Sequence, residues 1–203
     1  MIDKMAVTAR LLMGVIYLLN GFNWWFKIIT PYPSISDFVH MAPPPDVVGA
    51  MIENGVMFHM VKGIELLTGI ALLCNIAVPL MLVAVLPITL SVFIVDVFFV
   101  AHLRGIIMGV GSLTLNLYLL AVHLDHYRSM LVLRARDGAS LPPDAANFTD
   151  RLQALLRPMK PILGAVAILL GLIMLGWMLV MIGQYIAHPL PFGAGRPPMP
   201  PHV

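Results

Sequence analysis

The sequence predicts an all-α membrane protein: an antiparallel four-helix transmembrane bundle with a fifth, peripheral transmembrane helix. Three observations lead there. Hydrophobic residues make up 60% of the 203 residues and charged ones only 11%, where ordinary globular chains carry about 25% charge. Five stretches are long and apolar enough to cross about 30 Å of hydrocarbon, at roughly 8–27, 56–75, 77–99, 105–125 and 161–186. The first four carry polar groups in their interiors, whereas the fifth has no charge from Pro161 to Gly183. Helices with buried polar groups need neighbours; one without them can face lipid or a partner almost all round.

The first span opens like a secretory signal, with Lys4 and Arg10 ahead of Leu11–Leu19. The apolar run continues into Asn20-Gly21-Phe22-Asn23-Trp24-Trp25 without a small-x-small cleavage site, so a retained anchor is expected. Trp24, Trp25 and Tyr32 suit the headgroup level, and Lys27 can snorkel there. Gly14 and Gly21, seven apart, share a face where another helix can come close. The loop 30–55 is rich in proline; Asp46 is placed to cap a short outer helix that Asn54-Gly55 would end.

The second span is the most informative. It carries His59, Lys62 and Glu65 at successive steps of three, a slanted stripe on one helical face. The third carries Pro79 and Pro87, which predict a kink near its middle, and is expected to leave the membrane at Asp96. The fourth opens with the small-residue face Gly105-Ile-Ile-Met-Gly109, has Asn116 near its centre and ends in His123 to Arg128. After the break at Pro142-Pro143, Asp150 to Arg157 reads as a short amphipathic helix suited to a leaflet surface. The tail 188–203 is Pro-rich and reads as extended. The chain therefore divides into a four-helix domain 1–128, a linker 129–160, a fifth span 161–187 and the tail 188–203.

Basic residues set the expected orientation. Eight of the twelve Lys and Arg fall before the first span or between the fourth and fifth, which share a side in a five-span chain. The positive-inside rule puts that side in the cytoplasm, with the N-terminus inside and the C-terminus outside. The formal net charge of +2 is too small to point to a nucleic-acid partner. Cys74 is the only cysteine, which leaves no Cys-x-x-Cys relay or thiolate cluster within the chain.

By depth, Asn20, Asn23, Lys27, His59, Lys62, Glu65, Asp96 and Asn116 fall in one outer-to-middle layer. The inner half offers chiefly Asn75, Thr89 and Ser91. Asn20, Asn23, His59, Lys62, Glu65, Asp96 and Asn116 are thus the candidate lining of a polar pocket open toward the outer face. The same residues can equally be structural, since Asn side chains and ion pairs also hold membrane helices together. No metal site is expected: His59 is outer and His123 inner, so the two cannot share one central iron. No nucleophile elbow, phosphate loop or carboxylate dyad appears.

Arg10-Leu-Leu-Met-Gly14 with Asn20-Gly21 and Lys27, then Lys62-Gly-Ile-Glu65-Leu-Leu-Thr-Gly69, resemble the opening helices of the DoxX-like membrane family. Leu86-Pro87-Ile-Thr-Leu and Leu115-Asn116-Leu-Tyr118-Leu-Leu, running to Tyr127-Arg128, add to the likeness. That family is similar to the small membrane subunit of thiosulfate:quinone oxidoreductase. The resemblance implies a four-helix bundle in a bacterial cytoplasmic membrane and contact with quinone. It carries Lys62, Glu65 and Asn116 over as motif positions. The fifth span and the tail exceed the family's four-helix plan.

Three functions stay open. The chain can be a membrane subunit of a quinone-linked redox assembly, with no redox centre of its own and no covalent cofactor. It can be a structural accessory subunit that docks on a larger membrane complex through the fifth span and tail. Or it can be a small-solute transporter, although transporters tend to break helices in both of two repeated halves and here only the third span looks broken.

Overall fold

The structure, a computed structural model, describes residues 2–26, 56–100, 103–128, 130–131 and 143–187, and the regular elements among them are all helical. They are α1 (Ile2–Phe26), α2 (Val56–Cys74), α3 (Val78–Ile94), α4 (Leu103–Val122), α5 (Pro143–Leu156) and α6 (Lys160–Ala187). A π-helical turn, Val95–Val100, prolongs α3, and a 3-10 turn, Leu124–Tyr127, follows α4. Five segments are long and apolar enough to cross a membrane: Lys4–Phe26, Val56–Cys74, Val78–Phe99, Gly105–Val122 and Lys160–Gly183. The all-α class and the five membrane-length helices stand as read from the sequence, and by that length and composition the chain is a multi-pass membrane protein. Lys27, Tyr32, the expected cap at Asp46 and the tail 188–203 lie outside the described residues.

The tightest seam joins α1 and α2. A Cβ on Gly69 would stand 2.5 Å from the Leu18 nitrogen, and one on Gly21 2.8 Å from the Leu66 nitrogen. Only glycine lets two backbones approach this far. Because lipid tails are as apolar as leucine, such close van der Waals packing must do what the hydrophobic effect does in water. Residues 14, 18 and 21 of α1 meet 73, 69 and 66 of α2 in turn, so the two helices run antiparallel. Arg10 reinforces the seam at one end, its guanidinium donating to the Leu72 carbonyl in the last turn of α2. That carbonyl is among the last four of the helix, which lack the usual partner four residues on, and it also accepts from the Asn75 N–H at 3.3 Å.

Between α2 and α3 the chain reverses in three residues, with Asn75 at φ 57° and Ala77 at φ 49°. Asparagine takes this left-handed conformation readily as a C-cap; alanine does so against steric resistance. Helix α4 then returns along α3: Gly109 lies beside Phe93 and Asp96, Asn116 beside Leu82, and the Tyr127 hydroxyl donates to the Pro79 carbonyl at 2.8 Å. These contacts run in opposite order along the chain, so this pair too is antiparallel. Helices α1 and α4 also touch. Met13, Leu72, Leu82, Leu115 and Leu119 form the buried core between the helices.

Several expectations change. Pro79 falls in the first turn of α3, where a missing N–H leaves no bond unmade, so Pro87 is the only proline inside that helix. Beyond Pro87 the helical type changes at Val95–Val100, a π-helical turn. Asp96 sits within that turn, near the end of the apolar segment Val78–Phe99. Helix α6 is not apolar on equal terms all round: it buries Ala167 and Met174 completely, and sets Gly164 on Tyr118 and Gly171 on Leu115 and Leu12. Its other face keeps Leu169, Leu172, Trp177 and Val180 exposed.

A further change is α5, which starts at Pro143 rather than near Asp150. Proline at a first helical position is pre-set for the helix, so the dipeptide that reads as a break is a start signal. Helix α5 is pinned to the end of α4 by exposed groups. Arg128 donates to Asp125 at 3.1 Å and to Asp150 at 3.0 Å, and Gln153 donates to Asp125 at 2.6 Å. Exposed pairs of this kind contribute at most about 1 kcal/mol each.

Candidate functional site

The step-of-three stripe on α2 turns inward. Lys62 and Glu65 are buried at 6% and 1% exposure. Lys62 Nζ stands 2.8 Å from Glu65 Oε2, an ion pair one turn apart. Asn20 Nδ2, reaching across from α1, donates to the same oxygen at 2.8 Å. The Gly21–Leu66 approach brings α1 this close at the level of Glu65. The packing glycine and the polar contact are therefore one design.

Energetics favour such a closed arrangement. A charged side chain at mid-membrane costs about 2.5 kcal/mol or more. Pairing plus a neutral hydrogen-bond donor offsets that cost, whereas either charge alone would be left uncompensated. On the side of the pair nearer the ends of α1 and α2 that flank the 27–55 loop, aromatic rings gather. Lys62 Nζ lies 5.3 Å over the Phe58 ring, and Trp24 contacts both Phe58 and His59 with ring centroids at 4.5 and 5.2 Å. Trp24 is buried in this cluster; Trp25, 40% exposed and near His59, keeps the more open position.

The other candidates are dispersed along the core. Asn23 is buried at 4% exposure on α1. Asn116 donates its Nδ2 to the Leu82 carbonyl at 3.3 Å, binding α4 to α3, and its Oδ1 is buried without a hydrogen-bond partner. Asp96 is half-buried, against Gly109 of α4. Asn20, Lys62 and Glu65 thus form one hydrogen-bonded cluster, with His59 beside it in the aromatic group.

Three hydroxyl-bearing residues outside the candidate lining belong to the same interior. Tyr17, Thr68 and Thr89 are exposed by 4%, 0% and 1%. Thr89 donates to the Val85 carbonyl at 2.7 Å. Two of the three carried a signal: Thr68 continues the 59, 62, 65 spacing by one more step, and Tyr17 precedes Asn20 by three. Among the described residues no group of three or more His, Cys, Asp or Glu is placed to hold a metal ion.

Comparison with protein-family models, with curated proteins and with solved structures finds no match to this chain. Fold and site by themselves define its class: an all-helical multi-pass membrane protein with an ion pair closed inside its helical core.

Proposed function

We propose that the chain is an integral membrane subunit of a quinone-linked redox assembly in a bacterial cytoplasmic membrane, binding a ring head group without a redox centre of its own. In this reading α1–α4 act as an antiparallel four-helix transmembrane bundle of DoxX-like type. Helix α6 is at its margin, the N-terminus is cytoplasmic and the C-terminus is outside. The observation that carries the proposal is the adjacency of hydrogen-bond donors and aromatic rings. Lys62 and Asn20 meet on Glu65, and the Lys62 ammonium lies over Phe58, which packs on Trp24. A flat ring bearing carbonyl oxygens needs both parts: faces to stack on and N–H groups to accept from. Glu65 supplies a carboxylate able to exchange a proton with such a ring.

The test is extraction of lipids from protein purified with its native neighbours, followed by mass spectrometry. A quinone retained by the wild type and lost in the double variant Lys62→Met, Glu65→Leu supports the proposal. A protein free of quinone, with the double variant fully active in the host complex, rejects it.

The second reading is a structural accessory subunit, and the closure of the Lys62–Glu65–Asn20 cluster within the helices favours it. There the ion pair fixes helix register only, and the exposed face of α6, with Leu169, Leu172 and Trp177, docks on other membrane chains. Retained partner chains without quinone would select this reading.

A further inference from the structure

Helix α5 is attached to the rest of the chain by its polar side. Asp150 accepts from Arg128, Gln153 donates to Asp125, and Thr149 is fully buried. Its apolar residues are left outward. Phe148 and Leu155, seven apart and so on one face, are 39% and 66% exposed. The chain keeps turning past the helix, with the Met159 N–H on the Leu156 carbonyl and the Leu163 N–H on the Met159 carbonyl. The exposed stripe continues with it, through Met159 into Ile162 of α6. A helix that meets water with its outer face turns the other way, apolar side in.

Two attachments fix where that stripe lies. Helices α4 and α6 pack antiparallel, since Gly164 is set on Tyr118, Gly171 on Leu115 and Gly111 on Met174. The end of α4 and the start of α6 are therefore at one end of the bundle. The membrane-length segment of α4 stops at Val122, three residues before Asp125, and that of α6 starts at Lys160, four residues after Leu156. Four residues reach at most about 14 Å. Helix α5 is thus tied to the hydrocarbon boundary through its middle and again through its C-terminal end, and it must run along the bilayer surface.

Among the described side chains of this region, the charges left over are all positive. Arg128 takes up Asp125 and Asp150, while Arg151, Arg157 and Lys160 have no ion pair among the described residues. We infer that the junction of α5 and α6 is a seat for anionic phospholipid of the surrounding bilayer. Phe148, Leu155 and Met159 enter the boundary between headgroups and acyl chains, and Arg151, Arg157 and Lys160 hold phosphate groups. A guanidinium matches phosphate with paired N–H donors, and a lysine at a helix end extends its ammonium to headgroup level. Apolar face and basic flank together are what an interfacial helix uses. Each basic group near an anionic leaflet adds about fivefold in affinity. The inference depends neither on quinone binding nor on which side of the membrane is cytoplasmic.

The experiment uses the full chain in nanodiscs of equal parts phosphatidylcholine and phosphatidylglycerol, with two readouts. In native mass spectrometry the wild type should retain phosphatidylglycerol over phosphatidylcholine by about fivefold or more. The triple variant Arg151→Gln, Arg157→Gln, Lys160→Gln should lose most of that excess; an excess unchanged in the variant overturns the inference. The second readout leaves the basic groups in place. Cys74 is the only cysteine, so Leu155→Cys in a Cys74→Ser background takes a single spin label. Relaxation of the label by dissolved oxygen but not by a water-soluble nickel chelate is expected. A label open to nickel stands in water, and one shielded from both reagents is covered by protein; either result overturns the inference.

Discussion

Asn20 of α1 and Lys62 of α2 converge on one oxygen, each 2.8 Å from Glu65 Oε2, so the ion pair is held across the seam between two helices. Removing the carboxylate alone leaves a buried ammonium. Glu65→Ala should therefore destabilise the protein by about 3–5 kcal/mol, and the double variant Lys62→Met, Glu65→Leu by much less. Denaturation in mixed micelles compares the two. Equal losses would mean that the pair is not the unit of stability.

The α1–α2 seam predicts a sharp positional contrast among glycines. Gly69→Ala drives a Cβ toward the Leu18 backbone nitrogen, 2.5 Å away, and should cost about 1–3 kcal/mol. Gly176→Ala on α6, where nothing lies within 4 Å, should be neutral or stabilise by up to about 1 kcal/mol through helix propensity. Melting curves of the two variants, in the same detergent, decide the matter.

Ala77 occupies a conformation that suits glycine, at φ 49°. Ala77→Gly relieves about 1–2 kcal/mol of backbone strain and returns up to about 1 kcal/mol as extra freedom of the unfolded chain. A net gain of at most about 1 kcal/mol is expected, read as a higher melting temperature. A lower one would show that the Ala77 methyl group contributes packing that outweighs the strain.

Tyr127 links stability to alkaline pH. Burial pushes its phenol up from 10.0 to about 12, so the folded state holds the neutral form. Stability from this source is complete below pH 10 and is lost as pH rises toward 12. Tyr127→Phe forfeits the hydrogen bond to the Pro79 carbonyl, about 1 kcal/mol at neutral pH, and should flatten the stability profile between pH 10 and 12. Parallel profiles for variant and wild type would rule out Tyr127 as a titrating group of the fold.

Much of this architecture is legible in the sequence because a bilayer constrains strongly. Length and hydropathy locate the five membrane-length helices to within a few residues, and the Lys62–Glu65 spacing identifies a pair that must turn inward. The cost of exposing those charges to lipid leaves few alternatives. The Asn20 contact was within the expected layer for the same reason. What stayed hidden depends on packing partners. Pro143 reads as a breaker until one knows that a helix begins there, and nothing in the spacing of Trp24 announces that it packs on Phe58 and His59. The buried face of α6 carries no charge or amide to announce it; Gly164, Ala167 and Gly171 distinguish it only by being small.

The glycine seam bears on how the chain is made. Synthesis runs from the N-terminus, and Asn20 precedes Glu65 by 45 residues, so α1 is already in the bilayer when the charged turn of α2 emerges. Lys62 and Glu65 can meet during passage, since both lie on one helix, and the waiting face of α1 offers both the gap at Gly21 and the amide at Asn20. Neither α3 nor α4 is needed for that first docking. The segment with two charges at its centre is thus delivered directly to its partner, and a nascent chain just long enough to bring α2 clear of the ribosome should already protect Glu65 from carboxyl-directed labelling.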